Sequence, residues 1–255
     1  MSTKLNTMIF VLATAFFVLS VIVSASMIIP VNDNAKENAN APENSPVIGT
    51  NWDLERVDFI HYVKPETPAK PVKTDVCYKL MGVKWSSLPV NYVINPTNPQ
   101  GLTESFVTSA IATSAETWDV STSKELFNNF YLVNYSAKYG VQNFQNAIAF
   151  DDYPNNDVIA VTSVWFTRVG KQIVEFDQLY NTRFVWGDST SVINQTVMDL
   201  QNIGTHELGH SVGLSDIYST ACSAVTMHGY SGYGETQKRT LEQPDITGLQ
   251  KMYGV

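Results

Sequence analysis

Two of the four histidines in this 255-residue chain lie four residues apart, in the stretch THELGHSVGLSD at residues 205–216. On a helix, residues four apart share one face, with Cβ atoms about 5–6 Å apart, so His206 and His210 can bind the same metal ion. Glu207 projects about 100° around the helix from His206, within reach of a water on that metal. The spacing therefore predicts a catalytic metal site in which Glu207 acts as the general base.

A catalytic zinc ion needs three protein ligands and one open position, so two histidines are not sufficient. Gly213 can adopt a left-handed conformation that ends the helix and turns the chain back toward the metal. Asp216 is then the expected third ligand, because a carboxylate oxygen is an acceptable ligand for zinc. The alternative is that Asp216 only caps or turns the loop that follows the helix.

The pattern HExxHxxGxxD at residues 206–216 resembles the signature of the metzincin proteases. Their usual third ligand is histidine, and the aspartate form resembles that of snapalysin-type and of some bacterial and archaeal matrixin-like proteases. The resemblance to the matrixin branch, peptidase family M10, extends over most of residues 78–255, including the closing segment LEQPDITGLQKMYG. It implies an α+β fold with a mixed sheet of about five strands, a zinc-binding active-site helix, a methionine turn and a C-terminal helix.

The resemblance also implies roles for residues beyond the zinc helix. Met227, eleven residues after Asp216, matches the methionine of the turn beneath the metal, although methionine is also a common core residue. Asp245 would anchor that turn from the last helix, or would serve only as an acid at the helix N-terminus. Tyr230 resembles a tyrosine that some metzincins place near the metal, but its spacing differs by one residue.

Some features common in matrixins are missing from the sequence. Outside the motif the chain has only His61 and His228, so a second zinc site built from histidines is not expected. The cysteine-switch motif of matrixin pro-segments is also absent, and Cys77 lies where the catalytic domain is expected to begin. One acidic cluster is a candidate calcium site, with a solvated turn as the alternative. Its members are Asp151, Asp152, Asn155, Asn156 and Asp157.

The expected activity is that of a secreted or surface-tethered zinc metalloendopeptidase. Zinc would lower the pKa of a bound water, and Glu207 would take its proton and deliver it to the leaving amine. An edge strand at residues 158–165 would pair with an extended polypeptide substrate. The alternative function is an extracellular binding module with a structural zinc closed by a fourth ligand such as His228. A structural site has no use for Glu207, which favours the enzyme.

The rest of the sequence indicates the elements that position these residues. The alternating stretch LPVNYVINP predicts a first strand, and four further β-rich stretches follow it. Helices are predicted for residues 103–118 with Thr103 as N-cap, for residues 192–212, and for residues 241–253 with Thr240 as N-cap. Strands and helices do not strictly alternate, which favours an α+β fold.

The N-terminal part of the chain indicates export. Residues 1–31 contain the apolar run MIFVLATAFFVLSVIVSA, typical of a signal peptide or an uncleaved membrane anchor. Residues 32–76 are predicted to be a Pro- and Asn-rich tether or short pro-segment, in which the island NWDLERVDFIHYV could also be a first strand. Residues 77–255 are the predicted catalytic domain. The two cysteines, Cys77 and Cys222, are expected to form a disulfide, as is usual in exported proteins.

Composition limits the partners of the protein. The chain has 24 acidic and 16 basic residues, a net charge of −8, and no basic stretch that could follow a phosphate backbone. A nucleic-acid partner is therefore not expected. We expect an extracellular monomer that contacts a membrane only through the N-terminal segment, if that segment stays uncleaved.

Overall fold

A computed structural model of the chain describes residues 53–65, 76–191 and 196–255. The signal peptide or anchor predicted for residues 1–31 lies outside these ranges, as does most of the predicted tether. The described residues form these strands: β1 Leu54–Val63, β2 Val93–Asn95, β3 Leu132–Val133, β4 Ala147–Asp151, β5 Val158–Thr167, β6 Ile173–Asn181, β7 Trp186–Gly187, β8 Met198–Asp199 and β9 Tyr230–Ser231. The α-helices are α1 Glu104–Asp119, α2 Leu200–Ser211 and α3 Gln243–Tyr253. None of these described helices is long and apolar enough to span a bilayer.

Seven strands form one mixed sheet in the order β3-β2-β4-β6-β5-β1-β9. The strands β3, β2, β4 and β6 are parallel to one another, whereas β5 is antiparallel to β6 and β1 is antiparallel to β5. The five predicted strands correspond to β2 through β6, and the predicted α+β class is confirmed. The strands β1 and β9 extend the sheet beyond that prediction, and β7 and β8 form a separate small pair.

Strand β1 comes from the island inside the predicted tether. Its alternating side chains point to opposite faces of the sheet, as they must in a strand. Val57, Phe59 and Val63 pack against the main core, and Ile60 and Tyr62 pack against a smaller cluster on the other face. The structure contains one of the alternatives given for this island, a strand in the sheet. Ordered chain therefore precedes Cys77.

Strand β5 differs from its expected position in one respect. Residues 158–165 were expected to form a sheet edge, but β5 is paired on both sides, with β6 and with β1. The expectation of a free edge is therefore wrong for this structure. The physical reason is that the alternating apolar residues of β1 bury their side chains on both faces only when the strand pairs with β5.

Helix α1 begins as predicted. The hydroxyl oxygen of Thr103 accepts a hydrogen bond of 3.2 Å from the N–H of Phe106, which satisfies one of the free N–H groups at the helix start. At the other end, the buried indole of Trp118 donates a 2.8 Å hydrogen bond to the carbonyl of Thr205 in α2. Helix α1 thus fixes the position of the helix that carries the histidines.

Helix α2 is shorter than the predicted helix at residues 192–212. Residues 192–195 lie outside the described ranges, and the chain then forms β8 before the helix begins at Leu200. The carboxylate of Asp199 accepts a 2.9 Å hydrogen bond from the N–H of Asn202 and caps the helix. This cap explains the later start.

The end of α2 depends on Gly213, as the sequence predicts. This residue has a φ of +103°, and a Cβ atom at this position would lie 2.5 Å from the carbonyl oxygen of Val83. Only glycine fits such a left-handed and crowded position. The reversal sends the chain back past the helix and brings Asp216 beside the histidines.

Helix α3 begins at Gln243, and the predicted cap Thr240 is wrong. Glu242 is the N-cap, and the carboxylate of Asp245 accepts a 3.1 Å hydrogen bond from the N–H of Glu242. This capping box satisfies two N–H groups at the helix start. At the far end, the hydroxyl of Tyr253 donates a 2.9 Å hydrogen bond to the carbonyl of Val212, which holds α3 behind α2.

The expected disulfide between Cys77 and Cys222 is present. It links the chain just before the main domain to a turn at Thr220–Cys222, beyond the end of α2. Cys222 packs in a small apolar cluster with Ile217 and Val225. The bond therefore fastens the loop between Asp216 and the methionine turn to the chain at the start of the domain.

Candidate metal centre and active site

The structure brings together the three predicted metal ligands. Nε2 of His206 lies 3.1 Å from Nε2 of His210, and Oδ1 of Asp216 lies 3.2 Å and 3.4 Å from these two nitrogens. The side chains of both histidines are at most 1% exposed, and that of Asp216 is 8% exposed. Together these atoms form a group that could hold a metal ion.

The other ring nitrogens fix the tautomers of the two histidines. Nδ1 of His206 lies 2.7 Å from the carbonyl oxygen of Thr226, and Nδ1 of His210 lies 2.9 Å from that of Leu214. A carbonyl oxygen can only accept, so each Nδ1 carries a proton and donates it. Burial also lowers the pKa of His206 to about 3. In its neutral form, each imidazole then directs the Nε2 lone pair at the common centre.

Asp216 supplies a third acceptor to the same centre. Its Oδ1 is buried and makes no hydrogen bond of good geometry. Its other oxygen, Oδ2, accepts a 3.2 Å hydrogen bond from the hydroxyl of Tyr218. This bond orients the carboxylate so that Oδ1 points toward the two imidazoles.

Three acceptor atoms this close repel one another unless a cation lies among them. A tetrahedral zinc ion with bonds of about 2.0–2.1 Å holds its ligands roughly 3.3 Å apart. The separations between the three atoms, 3.1, 3.2 and 3.4 Å, agree with that value. The residues therefore fit a zinc ion, and the orphaned Oδ1 of Asp216 is the observation that supports this most directly.

Glu207 lies beside the three ligands and is fully buried. Its Oε2 accepts a 2.5 Å hydrogen bond from the hydroxyl of Thr162 in β5, and its Oε1 lies 3.1 Å from Nδ1 of His61 in β1. Burial raises the pKa of Glu207 to about 7, against the opposing effects of His210 and of the Thr162 hydroxyl. A carboxyl in this position suits proton transfer.

His61 reaches the site from β1, although the sequence prediction placed it in the tether. Besides Glu207, its ring contacts the hydroxyl of Ser231 at 3.0 Å and Nζ of Lys238 at 3.3 Å, both through Nε2. The centroids of the His61 and His206 rings are 4.0 Å apart. His61, His206 and Glu207 are also near enough to one another to hold a metal, but both nitrogens of His61 already contact protein groups.

Phe59 makes a second contact from β1 to the ligands. Its ring stacks on the ring of His210, with centroids 4.0 Å apart and planes 9° apart. Phe59 and His61 lie on the same side of the strand because residues two apart share a face. One face of β1 therefore covers both histidines and Glu207.

Lys238 places a positive charge next to the site. Its side chain is fully buried, and its ammonium donates a hydrogen bond to the carbonyl of His228. Burial lowers the pKa of Lys238 to about 8, although the nearby carboxylates of Asp216 and Glu235 oppose this. His228 itself belongs to neither of the described groups that could hold a metal.

Met227, the residue that the resemblance assigns to the methionine turn, packs against the helix that carries the two histidines. It is fully buried, and a Cβ atom on Gly209 of α2 would lie 2.3 Å from its sulfur. Glycine at 209 thus lets the helix rest directly on the methionine. Asp245 accepts hydrogen bonds from the N–H groups of Thr226 and Met227, so it anchors the turn and also caps α3.

The remaining expectations have mixed outcomes. The candidate calcium cluster faces a guanidinium group, because Arg183 binds both oxygens of Asp152, at 2.6 and 3.0 Å, and Oδ1 of Asn156, at 2.8 Å. This cation already neutralises part of the cluster. Tyr230 lies in β9, where its ring contacts those of Tyr218 and His228 rather than the ligand atoms.

Sequence reasoning missed four residues of the site. They are His61, Thr162, Tyr218 and Lys238. The contacts of His61, Thr162 and Lys238 join distant parts of the chain, whereas Tyr218 contacts Asp216, two residues before it. The alternation in LERVDFIHYV carries a signal for His61, because it places this histidine on the apolar face of a strand. Lys238 carries no such signal, since a lysine in a polar loop is normally exposed.

The comparisons with known proteins agree with this geometry. The family model of the matrixins, peptidase family M10, matches residues 84–254, more than half of the chain. Human matrilysin is 48% identical over 50 residues, which cover 20% of this chain and 18% of matrilysin. The match therefore spans less than a fifth of that relative. The sequence of the catalytic domain and the arrangement of its ligands lead to one conclusion: the chain belongs to the matrixin family of metalloproteases.

Proposed function

We propose that the protein is a zinc-dependent endopeptidase that hydrolyses polypeptides outside the cell. The observation that carries this proposal is the convergence of three buried acceptor atoms beside a buried glutamate. His206, His210 and Asp216 supply the acceptors, and Glu207 lies next to them. An open zinc site needs three protein ligands of this kind and a neighbouring group that can move a proton.

The residues of the site have different roles in the proposed reaction. His206, His210 and Asp216 would hold the zinc, which when bound supplies a Lewis acid that polarises the scissile carbonyl and makes water more acidic. Glu207 takes a proton from the attacking water and passes it to the leaving amine. Thr162 holds the carboxylate of Glu207 in place, through its 2.5 Å hydrogen bond.

The proposed substrate is an extended polypeptide that binds along β5. β5 runs past Glu207 over ten residues, and the strand β1 lies along it in extended conformation. A substrate in the same position would form backbone hydrogen bonds with β5, which favours flexible or unfolded chains.

An extracellular location is supported by three observations. The family is typically extracellular, one disulfide links Cys77 to Cys222, and the N-terminal apolar run is typical of export. Disulfides persist in oxidising compartments and are rare in the cytosol.

The test compares zinc-loaded protein with its Glu207→Gln variant on casein. Because β1 covers Glu207, a loosened chain is also prepared, in which Phe59→Ser and His61→Ala remove the ring contacts of β1. Glu207 and its replacement, Glu207→Gln, are each tested in the native chain and in the loosened chain, which gives four preparations. We expect the loosened chain with Glu207 to cleave casein and the Gln variant to cleave at least about 100-fold more slowly. Zinc content, measured on every preparation, should stay at one ion per chain.

Two results would count against the proposal. Equal cleavage by the Glu207→Gln variant would remove Glu207 from the chemistry. Stable binding of one zinc ion by all four preparations, without cleavage by any of them, would favour a binding module with a structural metal.

A further inference from the structure

The triplet Asn134-Tyr135-Ser136 directly follows β3, the strand at one end of the seven-stranded sheet. An asparagine followed two residues later by serine or threonine, without proline between them, is the acceptor sequence for N-glycosylation. In an exported protein such a triplet belongs to a surface loop, which is where the structure places this one.

We propose that Asn134 carries an N-linked oligosaccharide, whose first sugars lie over a groove beside β3 and cover the apolar edge of the sheet. The donor is an oligosaccharide linked to a lipid diphosphate. Carbon C1 of the first sugar bonds to Nδ2 of Asn134 while its bond to the diphosphate breaks. The lipid diphosphate leaves with the electron pair, and the amide loses one proton. This modification rests on the proposed export of the chain and not on the chemistry of the metal centre.

The first support is the conformation of the acceptor asparagine. Oδ1 of Asn134 accepts a 3.0 Å hydrogen bond from the N–H of Ser136, which forms an Asx turn. Its backbone carbonyl accepts a 3.1 Å hydrogen bond from the N–H of Ala137. Among the described residues, neither Nδ2 of Asn134 nor the hydroxyl of Ser136 has a hydrogen-bond partner. Asn134 is partly exposed and Ser136 is exposed, so the nitrogen that would carry the sugar is not needed by the fold.

The turn itself is held by the neighbouring strand β2. Nδ2 of Asn95 donates hydrogen bonds to the carbonyls of Tyr135, at 3.1 Å, and of Ala137, at 2.9 Å. The N–H of Asn134 donates a 3.0 Å hydrogen bond to the carbonyl of Ile94. A sugar on Asn134 would therefore be attached at a fixed point of the surface.

The second support is the apolar surface around this point. The exposed fractions of Phe130, Leu132 and Tyr135 are 85%, 68% and 63%. The outer edge of β3 has no partner strand among the described residues. Exposed apolar edges pair with other chains unless something covers them. An N-linked oligosaccharide is bulky and solubilising, so it would provide such a cover.

The third support is that Asn134 lies on the same side of the chain as a groove of about 710 Å³. Leu132 lines this groove. The N–H groups of Leu132 and Asn134 donate hydrogen bonds of 3.2 and 3.0 Å to Tyr92 and Ile94, alternate residues of the neighbouring segment. Residues two apart in an extended strand share a face. The first sugars on Asn134 would thus extend over the groove.

The lining of the groove suits neutral sugars. It includes the aromatic rings of Trp85 and Phe144 and the side-chain amides of Asn91 and Gln145, and none of its described residues is charged. Sugar rings have apolar C–H faces that pack on aromatic rings and hydroxyl groups that form hydrogen bonds with amides. A charged ligand would find no oppositely charged side chain in this lining.

The glycan would leave the candidate active site open. The strands β2, β4 and β6 separate β3 from β5, which runs past Glu207. Adjacent strands lie about 4.8 Å apart, so β3 is about 19 Å from β5 across the sheet. The sugars on Asn134 would therefore cover a surface remote from the metal centre.

The first test is peptide mapping by mass spectrometry on the full chain, purified from the cells that naturally produce it. We expect the peptide containing Asn134 to carry the added mass of hexose and hexosamine units. An exclusively unmodified peptide would overturn the proposal. A second acceptor triplet, at residues 194–196, begins outside the described residues, and mapping assigns its glycans to a different peptide.

A set of variants of the full chain, secreted from yeast, tests the acceptor sequence. Asn134→Gln and Ser136→Ala should remove the glycan from this peptide, whereas Ser136→Thr should keep it. Ser136→Ala retains both Asn134 and the backbone N–H of the Asx turn, so it guards against misfolding. Asn129→Gln is the matched control, because this exposed asparagine is followed by Phe130 and Tyr131 and is no acceptor. A glycan that persists in Ser136→Ala would contradict the proposal.

The covering role is measured by sedimentation velocity at rising protein concentration. We expect the Ser136→Ala chain to self-associate at least about 10-fold more tightly than the glycosylated chain. Adding Leu132→Ser to Ser136→Ala should reverse most of this effect, because it removes an exposed apolar side chain of the edge. Equal self-association with and without the glycan would overturn the covering role.

Cleavage of casein by the zinc-loaded loosened chain, with and without Ser136→Ala, separates this inference from the proposed function. Equal rates support a glycan remote from the active site, and a changed rate would contradict that position. If neither form cleaves, the endopeptidase is removed, while the glycan on Asn134 stands on the peptide map alone.

Discussion

The backbone N–H of Met227 donates a 3.2 Å hydrogen bond to Oδ1 of Asp245, so the last helix holds the turn that contains Met227. Oδ2 of the same carboxylate accepts a 2.8 Å hydrogen bond from the N–H of Thr226, whose carbonyl in turn accepts a hydrogen bond from Nδ1 of His206. A single side chain thus supports both the turn and the orientation of a metal ligand.

Replacing Asp245 by alanine should therefore destabilise the protein. Two buried N–H groups lose their acceptor, and each unsatisfied group costs about 1–3 kcal/mol. We expect a loss of roughly 2–4 kcal/mol in the free energy of unfolding, measured in urea on the metal-free protein. Gln243→Ala, at an exposed position of the same helix, should change it by less than about 0.5 kcal/mol. A cost below about 1 kcal/mol for Asp245→Ala would argue against the anchoring role.

Replacing Gly209 by alanine should disturb the contact between α2 and the methionine turn. The new methyl group would lie 2.3 Å from the sulfur of Met227 and 2.6 Å from a ring carbon of Trp118. Overpacking of this kind costs about 1–3 kcal/mol, which a urea titration detects. Gln201→Ala on the same helix serves as the control and should be nearly neutral. A neutral Gly209→Ala would mean that Met227 and Trp118 move aside easily.

Removal of the hydroxyl group of Tyr218 should weaken zinc binding without abolishing it. Tyr218→Phe deletes the 3.2 Å hydrogen bond to Oδ2 of Asp216 and frees the carboxylate to rotate. Partners of this kind change metal affinity by about 10–100-fold, which competition with a chromogenic chelator measures. Asp216→Ala should weaken binding more than Tyr218→Phe, and Tyr233→Phe, at an exposed tyrosine, should have no effect. If Tyr218→Phe weakened zinc binding more than Asp216→Ala does, the result would contradict the assignment of Asp216 as a ligand.

Reduction of the Cys77–Cys222 disulfide should loosen the loop between α2 and the methionine turn. The bond closes a loop of 145 residues in sequence separation, and loss of a native disulfide typically costs about 2–5 kcal/mol. The Cys77→Ser, Cys222→Ser double variant should show this loss in its thermal unfolding. The same variant should bind zinc more weakly, because the loop carries Asp216. Unchanged zinc affinity would show that the disulfide is not needed to position this aspartate.

The stability of the protein should depend on pH through Asp119. Burial raises the pKa of Asp119 to about 6, although the backbone N–H groups of Leu126 and Phe127 oppose this. An aspartate in an unfolded chain has a pKa of about 3.9. Between these values the folded state binds a proton that the unfolded state does not, so the free energy of unfolding falls as pH rises from about 4 to 6.

The Asp119→Asn variant should lose this contribution. We would compare urea midpoints of native and variant protein at pH 4.5 and pH 6.5, both metal-free. The urea midpoint of the native protein should exceed that of the variant by less at pH 6.5 than at pH 4.5. Glu116→Gln, in the same helix, should follow the native protein at both pH values. An advantage that grows with pH would mean that Asp119 is ionised in the folded state.

The elements with strong local patterns are predictable from sequence. Thr103 caps α1 where the pattern places it, and Gly213 ends α2 because no other residue fits its left-handed turn. His206, Glu207 and His210 follow from helical geometry alone, since their relative positions are fixed within one turn of helix. The aspartate at 216 needs only a short reversal beyond that turn.

The contacts between distant segments could not be predicted in this way. His61 and Glu207 are 146 residues apart in sequence, and no local pattern links them. The polar and Pro-rich composition around β1 favoured a tether, whereas tertiary pairing with β5 decides the structure of Leu54–Val63. Lys238 is buried for the same reason, because its environment is built by residues from other elements.

The composition of β5 has a consequence for handling the protein. From Val158 to Thr167 this strand has no charged side chain, and an apolar strand of this kind pairs readily with other molecules when one of its edges is exposed. While β1 is in place, that edge is capped. A variant in which β1 no longer pairs with β5 would expose that edge, so it should self-associate as its concentration rises. Aggregation, rather than loss of zinc or of fold, would then limit how long such a variant can be stored.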